Sequence, residues 1–109
     1  MTLQLSEHTI QNQIKDFLNY RGIPCYRINA GMVAYGEGKA RRFIKMAEAG
    51  FSDLVAVLPP YGQAVFIECK RPGKKPTTIQ TAFLSKMEGK GAIAFVATSI
   101  EDVQKALHI

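Results

Sequence analysis

The sequence is poor in the features that mark secreted, membrane-bound or metal-stapled proteins. Its 109 residues hold two cysteines, Cys25 and Cys69, too few and too far apart for a disulfide framework or a zinc site. No apolar stretch approaches the roughly 18 residues of a transmembrane helix, so no membrane association is expected. Met1-Thr2-Leu3-Gln4 leads straight into a polar segment, without the basic start and apolar run of a secretory leader. Internal repeats, low-complexity tracts and linker-like stretches are missing as well. One domain over residues 1–109 is expected, in a cytoplasmic setting reached by elimination.

Acidic residues are the scarcer charge, nine Asp and Glu against fourteen Lys and Arg, for a net +5 and a pI near 9.4. That balance suits a polyanionic partner, and its distribution says more than its size. Lys39, Arg41, Arg42 and Lys45 form one basic cluster, and Arg71, Lys74 and Lys75 continue a second one from Lys70. Both are candidate DNA-backbone contacts, against the plainer reading of two solvated loops. Hydrophobic residues make up 47% of the chain and charged residues 21%, the balance of a folded globular domain rather than a disordered one.

The densest information lies in residues 51–70. Ser52-Asp53 opens the apolar run Leu54-Val55-Ala56-Val57-Leu58, and Pro59-Pro60-Tyr61-Gly62 breaks it. A second run, Ala64-Val65-Phe66-Ile67, closes on Glu68-Cys69-Lys70. Two short apolar runs around a Pro/Gly turn read as a buried β-hairpin. With the four turn residues as the loop, Leu58 faces Gln63 and Asp53 lies opposite Glu68. Directly opposed residues share a side, with Cβ atoms roughly 4.5–5.5 Å apart. Lys70 returns to that side and Cys69 turns away from it, as a small buried hydrophobe.

Two carboxylates at the ends of neighbouring strands are hard oxygen ligands, suited to Mg²⁺ or Mn²⁺. Such an ion takes substrate phosphate oxygens at its open positions and acts on a phosphodiester and an attacking water. Lys70 can position the nucleophile, help deprotonate it, or offset charge on the phosphorus centre; the sequence leaves those roles open. The plain alternative is a surface Asp at a strand start and a Glu–Lys pair at a strand end. Three charged groups at the end of a buried hairpin cost desolvation unless something compensates, and a metal compensates.

Around this hairpin the elements are readable from caps and periodicity. Ser6 is a candidate N-cap for a helix from Glu7 to Tyr20, with Ile10, Ile14, Phe17 and Leu18 on one stripe and Gly22 to end it. Glu7 stands in the first turn, where an acid complements the helix dipole. Ile23–Ile28 reads as a strand. Gly36-Glu37-Gly38-Lys39 suits a turn between Met32–Tyr35 and Ala40–Lys45, while the composition of Ala40–Ala49 suits a helix equally. Thr77 or Thr78 caps a helix reaching Glu88 with Ile79, Ala82, Phe83 and Met87 inward. Gln80 sits in its first turn, where the positive helix end suits an anion. Ala92–Ala97 is a strand, and Ser99 with Asp102 approximates a capping box for a last helix through Leu107.

Asp53 followed by Glu68-x-Lys70 resembles the PD-(D/E)xK nuclease signature, and the whole chain resembles the VRR-NUC family of small virus-type replication and repair nucleases. The matching positions are Glu7 with Ile10-Gln11, Arg27-Ile28-Asn29, Gly31, Gly50-Phe51-Ser52-Asp53, Glu68-Cys69-Lys70 and Gln80. Ser52 stands where the superfamily name has Pro. The resemblance implies an α/β fold with a restriction-endonuclease-like core, a mixed β-sheet flanked by helices. It favours the hairpin for residues 32–45, and places Gln80 and Glu7 at the site beside Asp53, Glu68 and Lys70. It further implies a Mg²⁺- or Mn²⁺-dependent DNA endonuclease, acting as a homodimer on branched DNA such as four-way junctions, in a bacterial or phage-infected cell. A sequence-specific restriction-type enzyme and a non-catalytic DNA-binding module with the same fold are the alternatives. With 109 residues there is little room for an added base-reading domain, which favours recognition of DNA shape and backbone.

Overall fold

A computed structural model of the protein describes residues 5–28, 32–40, 42–45 and 47–109; for residues 32–35, 40 and 42–45 the description concerns the backbone. Met1–Gln4, Asn29, Gly31 and Arg41 lie outside the described residues. Ser6 opens α1 (Glu7–Tyr20), its Oγ accepting the Thr9 N–H at 3.0 Å. This satisfies one of the amides that a helix start leaves without a partner. Ile10, Ile14 and Leu18 form the buried stripe of α1. Phe17 lies at its edge, with the Arg21 guanidinium 5.6 Å above the ring centroid. Gly22 ends the helix at φ +77°, a backbone conformation that favours glycine.

Strand β1 (Cys25–Arg27) is shorter than the Ile23–Ile28 expected. The Ile23 amide still belongs to the helix exit, donating to the Leu18 carbonyl at 2.9 Å, and Pro24 has no N–H to give. The Asn19 side chain then bridges the Cys25 N–H and C=O, each at 3.1 Å. Strands β2 (Met32–Tyr35) and β3 (Arg42–Lys45) pair antiparallel from Met32↔Lys45 to Tyr35↔Arg42 as a separate two-stranded sheet. Residues 42–45 are therefore strand and not the alternative helix. A short 3₁₀ turn over Gly38–Ala40 tightens the loop, so β3 starts at Arg42 rather than at Ala40. The backbone of this small sheet approaches none of the other described elements.

The main sheet follows from β4 (Leu54–Leu58), β5 (Gln63–Cys69) and β6 (Ile93–Ala97). Its order is β1-β4-β5-β6. The β1–β4 and β4–β5 pairs are antiparallel and β5–β6 is parallel. A parallel pair needs a crossover, and α2 (Thr78–Gly89) supplies it. Helix α3 (Ile100–Leu107) ends the chain, with the Ser99 Oγ accepting the Asp102 N–H. Asp102 itself reaches back to the Thr98 N–H and hydroxyl at 2.8 and 2.9 Å. Those bonds hold its carboxyl below the usual carboxylate range.

Alternation along the strands divides the interior in two. Cys25, Leu54, Ala56, Val65, Ile67, Cys69 and Ala97 meet Ile10, Ile14 and Leu18 of α1 and Val103 and Leu107 of α3 in one aliphatic cluster. Phe66 points the other way and meets Phe83 of α2 and Phe51, with ring centroids 4.4–5.9 Å apart. This aromatic contact corrects the expected face of α2. Phe83 and Leu84 are buried, whereas Ile79 is 58% exposed and Ala82 is exposed. The inward stripe thus runs Gln80, Phe83, Leu84, Met87, at i, i+3, i+4 and i+7. Among the described residues no helix is long and apolar enough to cross a membrane.

Candidate active site

The β4–β5 register runs from Leu58↔Gln63 to Leu54↔Ile67, the pairing that the turn residues predict. One step further it sets Asp53 opposite Glu68. Asp53 is fastened to both neighbouring strands. Its carbonyl accepts the Ile28 N–H at 2.8 Å, and its Oδ2 accepts the Cys69 N–H at 2.8 Å. Lys70 continues β5 and gives its own amide to the Ala97 carbonyl at 3.0 Å. Its Nζ lies 3.8 Å from Glu68 Oε1 and 3.8 Å from Glu7 Oε1. Four charged side chains from α1, the start of β4 and the end of β5 thus meet where the sheet stops.

Glu68 is the most unusual of the four. It is 1% exposed, and its Oε2 has no hydrogen-bond partner among the described residues. Burial first and the Asp53 carboxylate second push its carboxyl up to about 8, against the opposing Lys70 ammonium. A buried acid with an orphaned oxygen beside a second carboxylate fits a hard divalent cation, which satisfies such oxygens and offsets their charge. Among the described residues no three His, Cys, Asp or Glu side chains form a complete cage. An ion held by Asp53 and Glu68 would complete its shell with water and phosphate oxygens, the habit of Mg²⁺. Both cysteines lie in the aliphatic core. Burial pushes the Cys25 thiol up to about 11 and raises Cys69 as well, so neither is poised as a nucleophile.

Gln80 stands apart from this group. Its Oε1 accepts the Thr77 N–H at 2.9 Å, and the Thr77 Oγ1 accepts the Gln80 N–H at 3.2 Å, a reciprocal capping box at the start of α2. No hydrogen bond joins it to the carboxylates among the described residues. The spacing Thr-x-x-Gln is itself a capping signal. Of the candidate DNA contacts, Lys39 is exposed, Arg42 lies in β3, and Arg41 is outside the described residues. Lys74 and Lys75 are exposed in the turn that leaves β5, and Arg71 is half-buried there. The turn closes through the Lys74 N–H on the Arg71 carbonyl at 3.0 Å.

Several supports of the site escape one-dimensional reading. The Ser52 hydroxyl, 1% exposed, donates to the Leu54 carbonyl at 3.0 Å and shapes the entry to β4. Gly50 (φ +83°) lies so close to α2 that a Cβ there would sit 2.7 Å from the Ile79 carbonyl oxygen, which only glycine avoids. Phe51 then packs against both Phe66 and Phe83. These contacts bind the segment ahead of Asp53 to α2. On the α1 side, Arg27 Nη1 lies 3.1 Å from His8 Nδ1 and 3.4 Å from its Nε2, a contact between residues 19 apart in sequence that no local pattern announces.

The VRR-NUC domain model matches residues 5–101. A protein of Acyrthosiphon pisum secondary endosymbiont phage 1, named "Putative nuclease p44", is 42% identical over 43 residues, 39% of this chain and 45% of that protein. The matched segment therefore spans less than half the length of that relative. A solved VRR-NUC domain structure has a TM-score of 0.67 and 23% identity, covering 94% of each chain, which is a likeness of fold.

Proposed function

The chain belongs to the VRR-NUC domain family, and we propose that it is a divalent-metal-dependent DNA endonuclease acting at Asp53, Glu68 and Lys70. The observation that carries this reading is the convergence of Asp53 and Glu68 at the sheet end, with Glu68 Oε2 buried and without a partner among the described residues and the Lys70 Nζ 3.8 Å from Glu68 Oε1. Asp53 and Glu68 would hold Mg²⁺ or Mn²⁺. The ion supplies polarisation of the scissile phosphodiester, activation of an attacking water and stabilisation of the leaving oxygen.

The protein's own residues do the rest. Lys70, 12% exposed along its side chain, directs its ammonium at the same spot and donates to a phosphate oxygen or to the water. Glu7 sits across from it at 3.8 Å and holds that ammonium in place. Lys74 and Lys75, with Arg71, bind flanking phosphates. Lys39, Arg41 and Arg42, on and beside the β2–β3 hairpin, add contacts further along the duplex. Gln80 acts through the first turn of α2, whose cap it completes. Branched DNA such as a four-way junction is the proposed substrate, supported by the resemblance to stand-alone VRR-NUC proteins. Two symmetric cuts call for two copies, hence a homodimer.

The test is cleavage of linear, flapped and four-way DNA by the wild type and by Asp53→Asn, with Mg²⁺, with Mn²⁺ and in EDTA. The wild type should cut in either metal, fail in EDTA, and prefer the four-way substrate. Asp53→Asn should bind DNA at least as well, since it removes a negative charge beside a polyanion, yet lose cleavage. Wild-type rates from Asp53→Asn at saturating Mg²⁺ would sink the reading. DNA binding by a wild type that cuts nothing under any condition would favour a non-catalytic binding module.

A further inference from the structure

The contact between His8 and Arg27 is not used by the site as described, yet it lies on its rim. Arg27 is the last residue of β1, paired with Leu54, the residue after Asp53. By alternation it faces the same side as the core residue Cys25, toward α1. His8 follows Glu7 in the first turn of α1. Each partner of the contact is therefore one position from a side chain of the candidate site. Both are exposed. Arg27 forms no ion pair with an acid among the described residues: Glu7, the nearest acid in sequence to His8, is directed at Lys70 instead. An arginine carries five N–H donors in a planar fork. Here one arm is held by an imidazole and the others have no acceptor among the described residues.

Strand order gives this pair its meaning. Across the end of the sheet stand β1 with Arg27, β4 with Asp53 at its start, and β5 with Glu68 and Lys70 running into Arg71, Lys74 and Lys75. Neighbouring strands are about 4.8 Å apart, so Arg27 stands one strand from Asp53 and two from Glu68, while the basic turn continues β5 on the far side of the carboxylates. We infer that Arg27, oriented by His8, is the anchor for a DNA backbone phosphate on the α1 side of the scissile bond, opposite the turn at Arg71–Lys75. Its planar fork matches two phosphate oxygens at once. His8 is a positioning residue: its ring nitrogen, 3.1 Å from Nη1, accepts from the guanidinium and holds its plane. This inference rests on the nuclease reading and adds a second edge to the DNA path.

Fluorescence anisotropy with labelled duplex and four-way DNA in EDTA, across a salt series, tests it. Arg27→Ala should raise Kd about tenfold and lower the slope of log K against log[salt] by about 0.9 on duplex. His8→Ala should raise Kd a few-fold with the slope unchanged, because Arg27 keeps its charge. His8→Gln should recover most of that loss, since its amide oxygen can accept from the guanidinium. Arg27→Gln serves as the charge-free variant if Arg27→Ala fails to fold. Wild-type Kd and slope in Arg27→Ala, from a protein that binds and cuts DNA, would overturn this inference alone. Failure of the wild type to bind either DNA would overturn the nuclease reading along with it.

Discussion

The two ends of the β4–β5 hairpin share one ladder of pairs and bury opposite things. At the turn end Leu58 pairs with Gln63, and Tyr61 stands 94% exposed in a loop with no charged group. At the open end the same ladder leads into Asp53, Glu68 and Lys70, with a Glu68 oxygen shut away from water and without a partner among the described residues. Between them Leu54, Ala56, Val65 and Ile67 are fully buried in the aliphatic cluster. The middle of the hairpin supplies stability, roughly 1.5–3 kcal/mol for each large side chain fully buried. That surplus lets the open end hold charges which cost free energy in the metal-free fold. Electrostatic strain is thus confined to the end where a divalent cation could relieve it.

That contrast can be tested by substitution at each end, starting with the largest effect. Lys70→Ala should slow single-turnover cleavage at saturating enzyme by about 10²-fold or more, as for groups that act in proton transfer or on developing charge. Binding should fall only modestly, because the neighbouring basic turn remains. An unchanged rate constant with weaker binding would make Lys70 a phosphate anchor and remove the chemical distinction of this end.

Glu68→Gln probes the strain itself by thermal melting in EDTA. The folded wild type keeps the Glu68 proton up to about pH 8, against an ordinary value of 4.5, while the unfolded chain releases it earlier. The folded state therefore binds more protons between those limits, and stability falls as pH rises through them. This contribution is fully present below about 4.5 and lost above about 8. Glu68→Gln should melt higher than wild type at pH 9, by a few degrees, and the gap should close toward pH 5. A gap independent of pH would show that Glu68 ionises as an ordinary surface acid.

Lys74→Ala with Lys75→Ala should leave the rate constant near wild type and flatten log K against log[salt] by up to roughly 2 on duplex DNA. An unchanged slope would move the DNA path toward the β2–β3 hairpin and its flanking basic residues. Smallest of all, Tyr61→Ala at the turn end should change stability by less than about 0.5 kcal/mol and leave cleavage untouched. A larger loss in denaturant unfolding would mean that the turn end carries structure of its own.

What the sequence made legible was whatever short-range rules control. Ser6, Thr77 and Ser99 announce three helix starts, because a cap is a local event. The hairpin register was readable because a fixed turn length leaves a single pairing once both runs are known. The strand Ile23–Ile28 was overextended because the helix exit, which uses the Ile23 amide, outcompeted the ladder. Helix α2 was turned to the wrong face because Ile79 and Ala82 are as apolar as Leu84, and only the distant rings of Phe51 and Phe66 decide which way Phe83 points. Gln80 is placed at the site by resemblance, and in the structure its side chain closes the cap of α2 with Thr77. The pairing of His8 with Arg27 depends on how α1 lies over β1, a tertiary fact with no local signature.

Asp53 ties these levels together. Its carboxylate takes an amide of β5 beyond the last pair of the ladder, and its carbonyl takes an amide next to β1. The position therefore answers to two demands of different kinds. The sheet requires an acceptor of this reach, and the proposed metal site requires a negative charge. Glutamate would overshoot the amide and serine would fall short of it, whereas asparagine meets the first demand and fails the second. A descendant of this chain that had lost its chemistry could carry asparagine here with an undisturbed fold, so activity could vanish from a lineage without leaving any mark on its architecture.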